Sequence, residues 1–172
     1  WLLVRQIAVL SRNKKFITMK VFWSYANRDN PKPYNVTRLR EAFESVLQQC
    51  TGQDVCVFQD KTGLNWGDEW RTRLEQEVKS ANAFVCLLSP SYFASKMCMQ
   101  ELVWAIEAKV KIYPILYRAC KNGFKCNFSE ESDSKVIALN NKSKVFEKLQ
   151  YVDFTALRNK PKDSTEVMDF LD

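Results

Sequence analysis

The sequence predicts an α/β fold built around a parallel sheet, and three observations lead there. Short apolar runs rich in β-branched and aromatic residues (MKVFWSYA, DVCVF, AFVCLL, KIYPILY) alternate with segments whose apolar residues recur at helical spacing. AFVCLL is apolar at every position, as a strand covered on both faces should be. The 172 residues are 46% apolar and 27% charged, enough for one globular domain with a real core.

Residues 1–18 are read as an N-terminal extension, namely a tag, a linker or the end of an upstream domain, and residues 19–172 as the domain. The opening WLLVRQIAVL contains Arg5, and no small-residue cleavage site follows, so it is a poor signal peptide. No run of 18 apolar residues occurs, so no membrane span is expected. The first strand covers 19–26. The loop 27–35 is broken by Pro31 and Pro33. Val36, Leu39, Phe43, Val46 and Leu47 then mark a helix over 35–49. The second strand is 54–58 and a loop covers 59–68, with Asp68 as N-cap of the next helix. Trp70, Leu74, Val78 and Ala81 carry that helix to about residue 80, and the third strand is 83–88.

SPSYFAS is a turn with helix-start signals, Pro90 suiting a first helical position. A helix over 97–109 has Cys98, Leu102, Ala105 and Ile106 on one face. The fourth strand is 111–117, where Pro114 suggests an edge or a bulge. Residues 118–143 are polar and irregular, 144–150 form a short helix, 150–154 a fifth strand, and a last helix begins near Asp163. Helices then cover both sheet faces, and ligands in such folds sit beyond the carboxyl ends of the strands. Those ends are 24–28, 59–66 and 89–95.

Composition removes several chemistries. The chain has no histidine, which excludes Ser-His-Asp and Cys-His catalysis. Its six cysteines form no C-x-x-C pair, so no metal site is expected, and a reduced, cytoplasmic chain is the simple reading. Four glycines allow neither a G-x-G-x-x-G turn nor a P-loop. The net charge of +6 favours anionic small molecules or an acidic neighbour. No basic block has interleaved aromatics, so nucleic acid is an unlikely partner.

One residue breaks the pattern. Glu101 sits on the inner side of an otherwise apolar helix, just after a buried strand. A buried acid costs several kcal/mol unless it is paired or hydrogen-bonded, so it is either turned outward or kept for chemistry.

Three segments together resemble a known family. KVFWSYANRD resembles the first strand of a Toll/interleukin-1 receptor (TIR) domain, usually F-I-S-Y-S-x-x-D. VFQDKTGLNWGDEW resembles its second strand and BB loop. LLSPSYFASKMCMQEL resembles its third strand and following helix, usually L-S-x-x-Y-x-x-S-x-W-C-x-x-E-L. The similarity runs over about residues 19–157 and looks more bacterial or plant-like than vertebrate. It implies a flavodoxin-like three-layer fold with a five-stranded parallel sheet in the order 2-1-3-4-5. It also implies one of two activities, NAD+ cleavage to nicotinamide and ADP-ribose or cyclic ADP-ribose, or assembly with further TIR domains without catalysis.

The residue matching the family's catalytic acid is Glu101. Nicotinamide leaves NAD+ as a neutral molecule, so no general acid is needed. A single carboxylate can steady the oxocarbenium-like ribose, so neither a histidine, a metal nor a separate cofactor is required, NAD+ being the substrate. Around Glu101 the expected substrate-binding residues are Ser24, Tyr25, Asn27, Arg28, Asp60, Leu64, Trp66, Ser89, Tyr92 and Met97. Tyr25 and Trp66 are stacking candidates, Arg28 is a candidate for the pyrophosphate, and Asp60 matches the BB-loop acid. Each has a bland reading too: strand-end aromatics cap cores, loop arginines are solvated, and Ser89 suits an N-cap. Cys98 and Trp104 are read as core. Met97 stands where the family often has a Trp, which weakens ring stacking at the site.

The expected function is therefore an NAD+ glycohydrolase of bacterial antiphage immunity, active when copies self-associate through the 59–66 loop and coupled to an upstream or downstream sensor domain. The competing expectation is a non-enzymatic TIR interaction module. A response-regulator receiver fits poorly, because Asp60 follows the second strand rather than the third and the first strand ends in Ser24-Tyr25 rather than an acidic pair.

Overall fold

The computed structural model describes residues 3–13, 18–33, 35–59, 68–121, 123–126, 141, 145–148 and 150–171. Its strands are β1 (Met19–Ser24), β2 (Val55–Gln59), β3 (Ala83–Leu88), β4 (Lys111–Leu116) and β5 (Val152–Asp153). Its helices are α1 (Leu3–Asn13), α2 (Asn35–Thr51), α3 (Asp68–Ser80), α4 (Pro90–Phe93), α5 (Lys96–Glu107), α6 (Val145–Lys148) and α7 (Thr165–Leu171), with a 3-10 turn at Asn27–Asp29.

The five strands form one parallel sheet in the order β2-β1-β3-β4-β5. This is the order that the resemblance implies. The two-residue period of a strand divides the core in two. Val21 and Trp23 of β1 and Val85 and Leu87 of β3 face one layer, with Leu39 and Phe43 of α2 and Val167 and Leu171 of α7. Phe22 of β1 and Phe84, Cys86 and Leu88 of β3 face the other, with Leu74 and Val78 of α3, Tyr92 and Phe93 of α4, Leu102 and Ala105 of α5 and Phe146 of α6. Phe22 stacks between Phe58 and Phe84, at centroid distances of 5.4 and 5.5 Å.

Three details differ from the sequence reading. The first strand stops at Ser24, so Tyr25 and Ala26 already belong to the rim. Pro114 lies inside β4, but β5 pairs only with Ile115 and Leu116, so among the described residues no strand flanks Pro114 on that side and its missing N–H costs no ladder bond there. The third difference is α1. The segment read as an extension contributes Leu3, Val4, Ile7 and Ala8 to the α2 layer, all buried. Tyr113 of β4 also donates its hydroxyl to the Gln6 carbonyl at 3.2 Å. The i, i+3, i+4 spacing that buries this face is in the sequence.

If α1 belongs to the fold, Ile7→Ala should lower stability by roughly 2–4 kcal/mol, or the melting temperature by roughly 5–15 °C. Thermal denaturation checks this, and an unchanged midpoint would make α1 an appendage.

Candidate active site

β1, β3 and α5 converge where the sheet's carboxyl ends meet α4. Ser24 is the last residue of β1 and pairs in register with Cys86 of β3. Alternation puts Ser24 on the Phe22 side of the sheet, facing α4 and α5. α5 starts at a Ser95 cap, whose Oγ accepts the Cys98 N–H at 3.3 Å. Glu101 is three residues after Cys98 and four before Ala105, so it falls on the buried face and is only 5% exposed. Ser24 Oγ donates to Glu101 Oε2 at 2.5 Å. Tyr92 Oη lies 3.2 Å from Ser24 Oγ. Ser24 has a single hydroxyl hydrogen, directed at the carboxylate, so Tyr92 donates to Ser24 and Ser24 to Glu101. Burial pushes the Tyr92 hydroxyl well above the usual phenol range, which keeps it a donor.

A second acid occupies the same rim. Asp29 closes the 3-10 turn after β1, is 3% exposed, and accepts a hydrogen bond from Ser89 Oγ. Arg118, just past β4, brings its Nε to 2.9 Å from Asp29 Oδ1. That N–H is not well aimed as a hydrogen bond, so the attraction is mainly Coulombic. Burial raises the Asp29 pKa, against the opposing pull of Ser89 and Arg118. Ser89 Oγ also accepts the Tyr92 N–H at 2.9 Å, capping α4. Asp29 and Arg118 are absent from the residues expected from sequence. Asp29 is nonetheless the final Asp of the SYANRD motif, whereas Arg118 carries no local signal.

The structure brings Ser24, Ser89, Tyr92 and Glu101 together. Ser24, Ser89 and Tyr92 are at most 1% exposed, so they offer a ligand almost no surface and instead hold Glu101 and α4. Tyr25 is half-buried against the α2 layer, and its carbonyl accepts the Cys98 S–H at 3.4 Å. Met97 is half-buried against the α5 layer. Asn27 and Arg28 are exposed on the 3-10 turn. Asp60, Leu64 and Trp66 lie outside the described residues. Trp104 is buried, as expected. Cys98 is a buried neutral thiol, pushed well up by burial and next by the Glu101 charge. No cluster of metal-ligating side chains occurs among the described residues.

A family model described as "TIR domain" matches residues 21–167. The chain belongs to the TIR domain family. Sixty of its residues, 35% of the chain, are 32% identical to a Brachypodium distachyon protein named "Probable 2' cyclic ADP-D-ribose synthase BdTIR", and they span 27% of that protein. The TIR domains of the activated Roq1 resistosome, described as directly recognizing the pathogen effector XopQ, superimpose with a TM-score of 0.60 at 18% identity, over 88% of this chain and 95% of that one. A TIR domain of the Toll-related receptor TRR-2 from Hydra magnipapillata aligns at a TM-score of 0.42 and 19% identity, over 74% and 95% of the respective chains. No described helix of this TIR domain is long and apolar enough to cross a membrane.

Removing Ser24's hydroxyl takes one donor from a buried carboxylate. Ser24→Ala should therefore cost roughly 1–3 kcal/mol and Tyr92→Phe about 1 kcal/mol in urea denaturation. Equal stability of Ser24→Ala and the parent would mean that Glu101 is satisfied without the serine. Asp29 gives a pH test. Its folded pKa is raised above the ordinary 3.8, so the folded state holds the proton longer than the unfolded state. Its contribution is a stability that falls as pH rises from about 3.8 through the raised value and is level above it. Denaturation midpoints measured across that window should show a shallower dependence of this sign in Asp29→Asn.

Proposed function

We propose that this TIR domain cleaves the nicotinamide–ribose bond of NAD+, releasing nicotinamide and ADP-ribose or a cyclic ADP-ribose. The observation that carries the reading is Glu101, a nearly buried carboxylate held by the Ser24 hydroxyl at the rim where parallel α/β sheets bind ligands. It occupies the position of the acid in the L-S-x-x-Y…C-x-x-E-L motif. The likeness to a plant protein named as a cyclic ADP-ribose synthase supports the same reaction class.

The chemistry asks little of the chain. The C1′–N bond breaks with its electron pair going to the pyridinium nitrogen, so nicotinamide departs neutral and needs no proton. Positive charge develops on the ribose and meets the Glu101 carboxylate, whose anionic form Ser24 favours. Water, or a hydroxyl within the ADP-ribose part, then forms a bond to C1′ and gives up its proton to solvent. A fixed charge in a site of low polarity is a large catalytic term. No separate cofactor enters this scheme.

At 5% exposure, Glu101 is closed at rest. This supports activation by self-association, with the 59–66 loop of one copy completing the site of the next. It fits an immune effector of the antiphage kind, working in a reducing cytoplasm and triggered by an attached sensor domain. Met97, where a Trp is usual, favours the competing reading of an interaction module without catalysis.

Glu101→Gln retains an acceptor for Ser24, so the protein should stay folded while nicotinamide release falls about 100-fold or more. Chromatography of nicotinamide from concentrated protein decides it, and parent-like turnover in the variant would end the assignment. Nicotinamide release per protomer should also rise with protein concentration. Filaments that form without consuming NAD+ would favour the interaction module.

A further inference from the structure

The notable feature outside the Glu101 chain is a cluster of charge at the same rim. Arg118 is fixed at both ends: its backbone N–H donates to the Leu88 carbonyl at 3.1 Å, and its Nε abuts Asp29. The Nε atom is buried, yet the side chain is 39% exposed, and its Nη groups make no hydrogen bond among the described residues. Arg158 lies close enough for its charge to favour the Asp29 carboxylate as well. Both guanidinium charges also act on Tyr117, which stacks on Phe154 at 6.2 Å. Arg158 thus adds a second, weaker positive charge beside the Asp29–Arg118 pair. Arg28, the arginine that the sequence suggests for the pyrophosphate, lies exposed on the 3-10 turn and has no such anchor among the described residues.

We propose that Arg118, anchored by Asp29 and joined by Arg158, binds the diphosphate group of the substrate. This rests on the NAD+ reading above and adds the residues that hold the substrate's anionic centre. The planar guanidinium fork presents its Nη pair to two phosphate oxygens once Nε is pinned. Pinning also lowers the entropy cost of ordering a long side chain on binding. The placement suits a dinucleotide, whose diphosphate is one ribose away from the bond that breaks. Ser89 donates to Asp29 and accepts the Tyr92 N–H, and the Tyr92 hydroxyl lies 3.2 Å from Ser24, which donates to Glu101, so the two acids are joined by one chain of contacts at the rim. Asp29 is a positioning residue here: it holds Arg118 and does not touch the substrate.

The test is calorimetric titration of the full chain with ADP-ribose, followed by displacement with inorganic pyrophosphate. Arg118→Ala should weaken ADP-ribose binding at least ten-fold, Arg158→Ala several-fold, and Arg118→Lys less than Arg118→Ala. Inorganic pyrophosphate should displace ADP-ribose from the parent and lose that ability with Arg118→Ala. Asp29→Asn should weaken binding in the same direction as Arg118→Ala while leaving Arg118 in place. Parent-like ADP-ribose affinity in Arg118→Ala overturns the proposal, as does a parent that binds no ADP-ribose. If Arg118→Ala fails to fold, parent-like affinity in both Arg118→Lys and Arg158→Ala overturns it equally. Arg118-dependent binding of ADP-ribose without any NAD+ cleavage would sink the proposed reaction and leave the anion site standing.

Discussion

A carboxylate taken out of water at the end of a parallel sheet has to be met by donors, and the rest of the site is arranged to meet Glu101. Desolvation of an ionised acid costs several kcal/mol even after relaxation. The 2.5 Å bond from Ser24 is short and charge-assisted, and Tyr92 polarises it from behind. That bond exists only because β1 lies in register with β3, Ser24 opposite Cys86. A slip of one residue would turn Ser24 toward the α2 layer and leave the acid facing a backbone or an apolar side chain. The site is therefore as well determined as the core, because the same alternation that buries Phe22 on one side and Trp23 on the other aims the serine.

The two rim acids are treated differently, and the difference assigns them different work. Glu101 accepts from the Ser24 hydroxyl, a neutral donor. Asp29 is met by the Arg118 guanidinium as well as a hydroxyl, so its charge is largely cancelled where it sits. Ser89 ties the two halves together. Its one hydrogen goes to Asp29, and its oxygen accepts the Tyr92 N–H that starts the helix carrying the Tyr92–Ser24 chain.

The sheet order and most elements were legible because apolar period and strand length report burial directly. Glu101 was legible because an acid at helical spacing between Cys98 and Ala105 contradicts its surroundings. The missed features are contacts between distant parts of the chain. Asp29 and Arg118 are 89 residues apart, and each lies in a polar segment that reads as solvated loop until topology joins the ends of β1 and β4. The α1 helix was missed for another reason. Leu3, Val4, Ile7 and Ala8 have helical spacing, but an apolar opening segment invites the question of whether it is a leader, and that question displaces the one about which face it buries. The burial of Ser24, Ser89 and Tyr92 is not legible in the sequence, because a position at a strand end does not reveal whether a side chain points outward or under the next helix.

The sheet's other edge constrains how copies can meet. β2 is an outer strand, and an outer strand with free N–H and C=O groups would template pairing with a neighbour. Here α2 occupies those groups. Glu44 Oε1 accepts the Val57 N–H at 3.0 Å, Gln48 donates to the Val55 carbonyl at 3.3 Å, and Arg40 holds Glu44 at 2.5 Å. With two of its backbone groups already bonded, this edge gains less by adding a strand from another copy, since those ladder bonds would first have to displace side-chain bonds of similar worth. Any contact between copies at this edge is then better made by side chains than by a further strand.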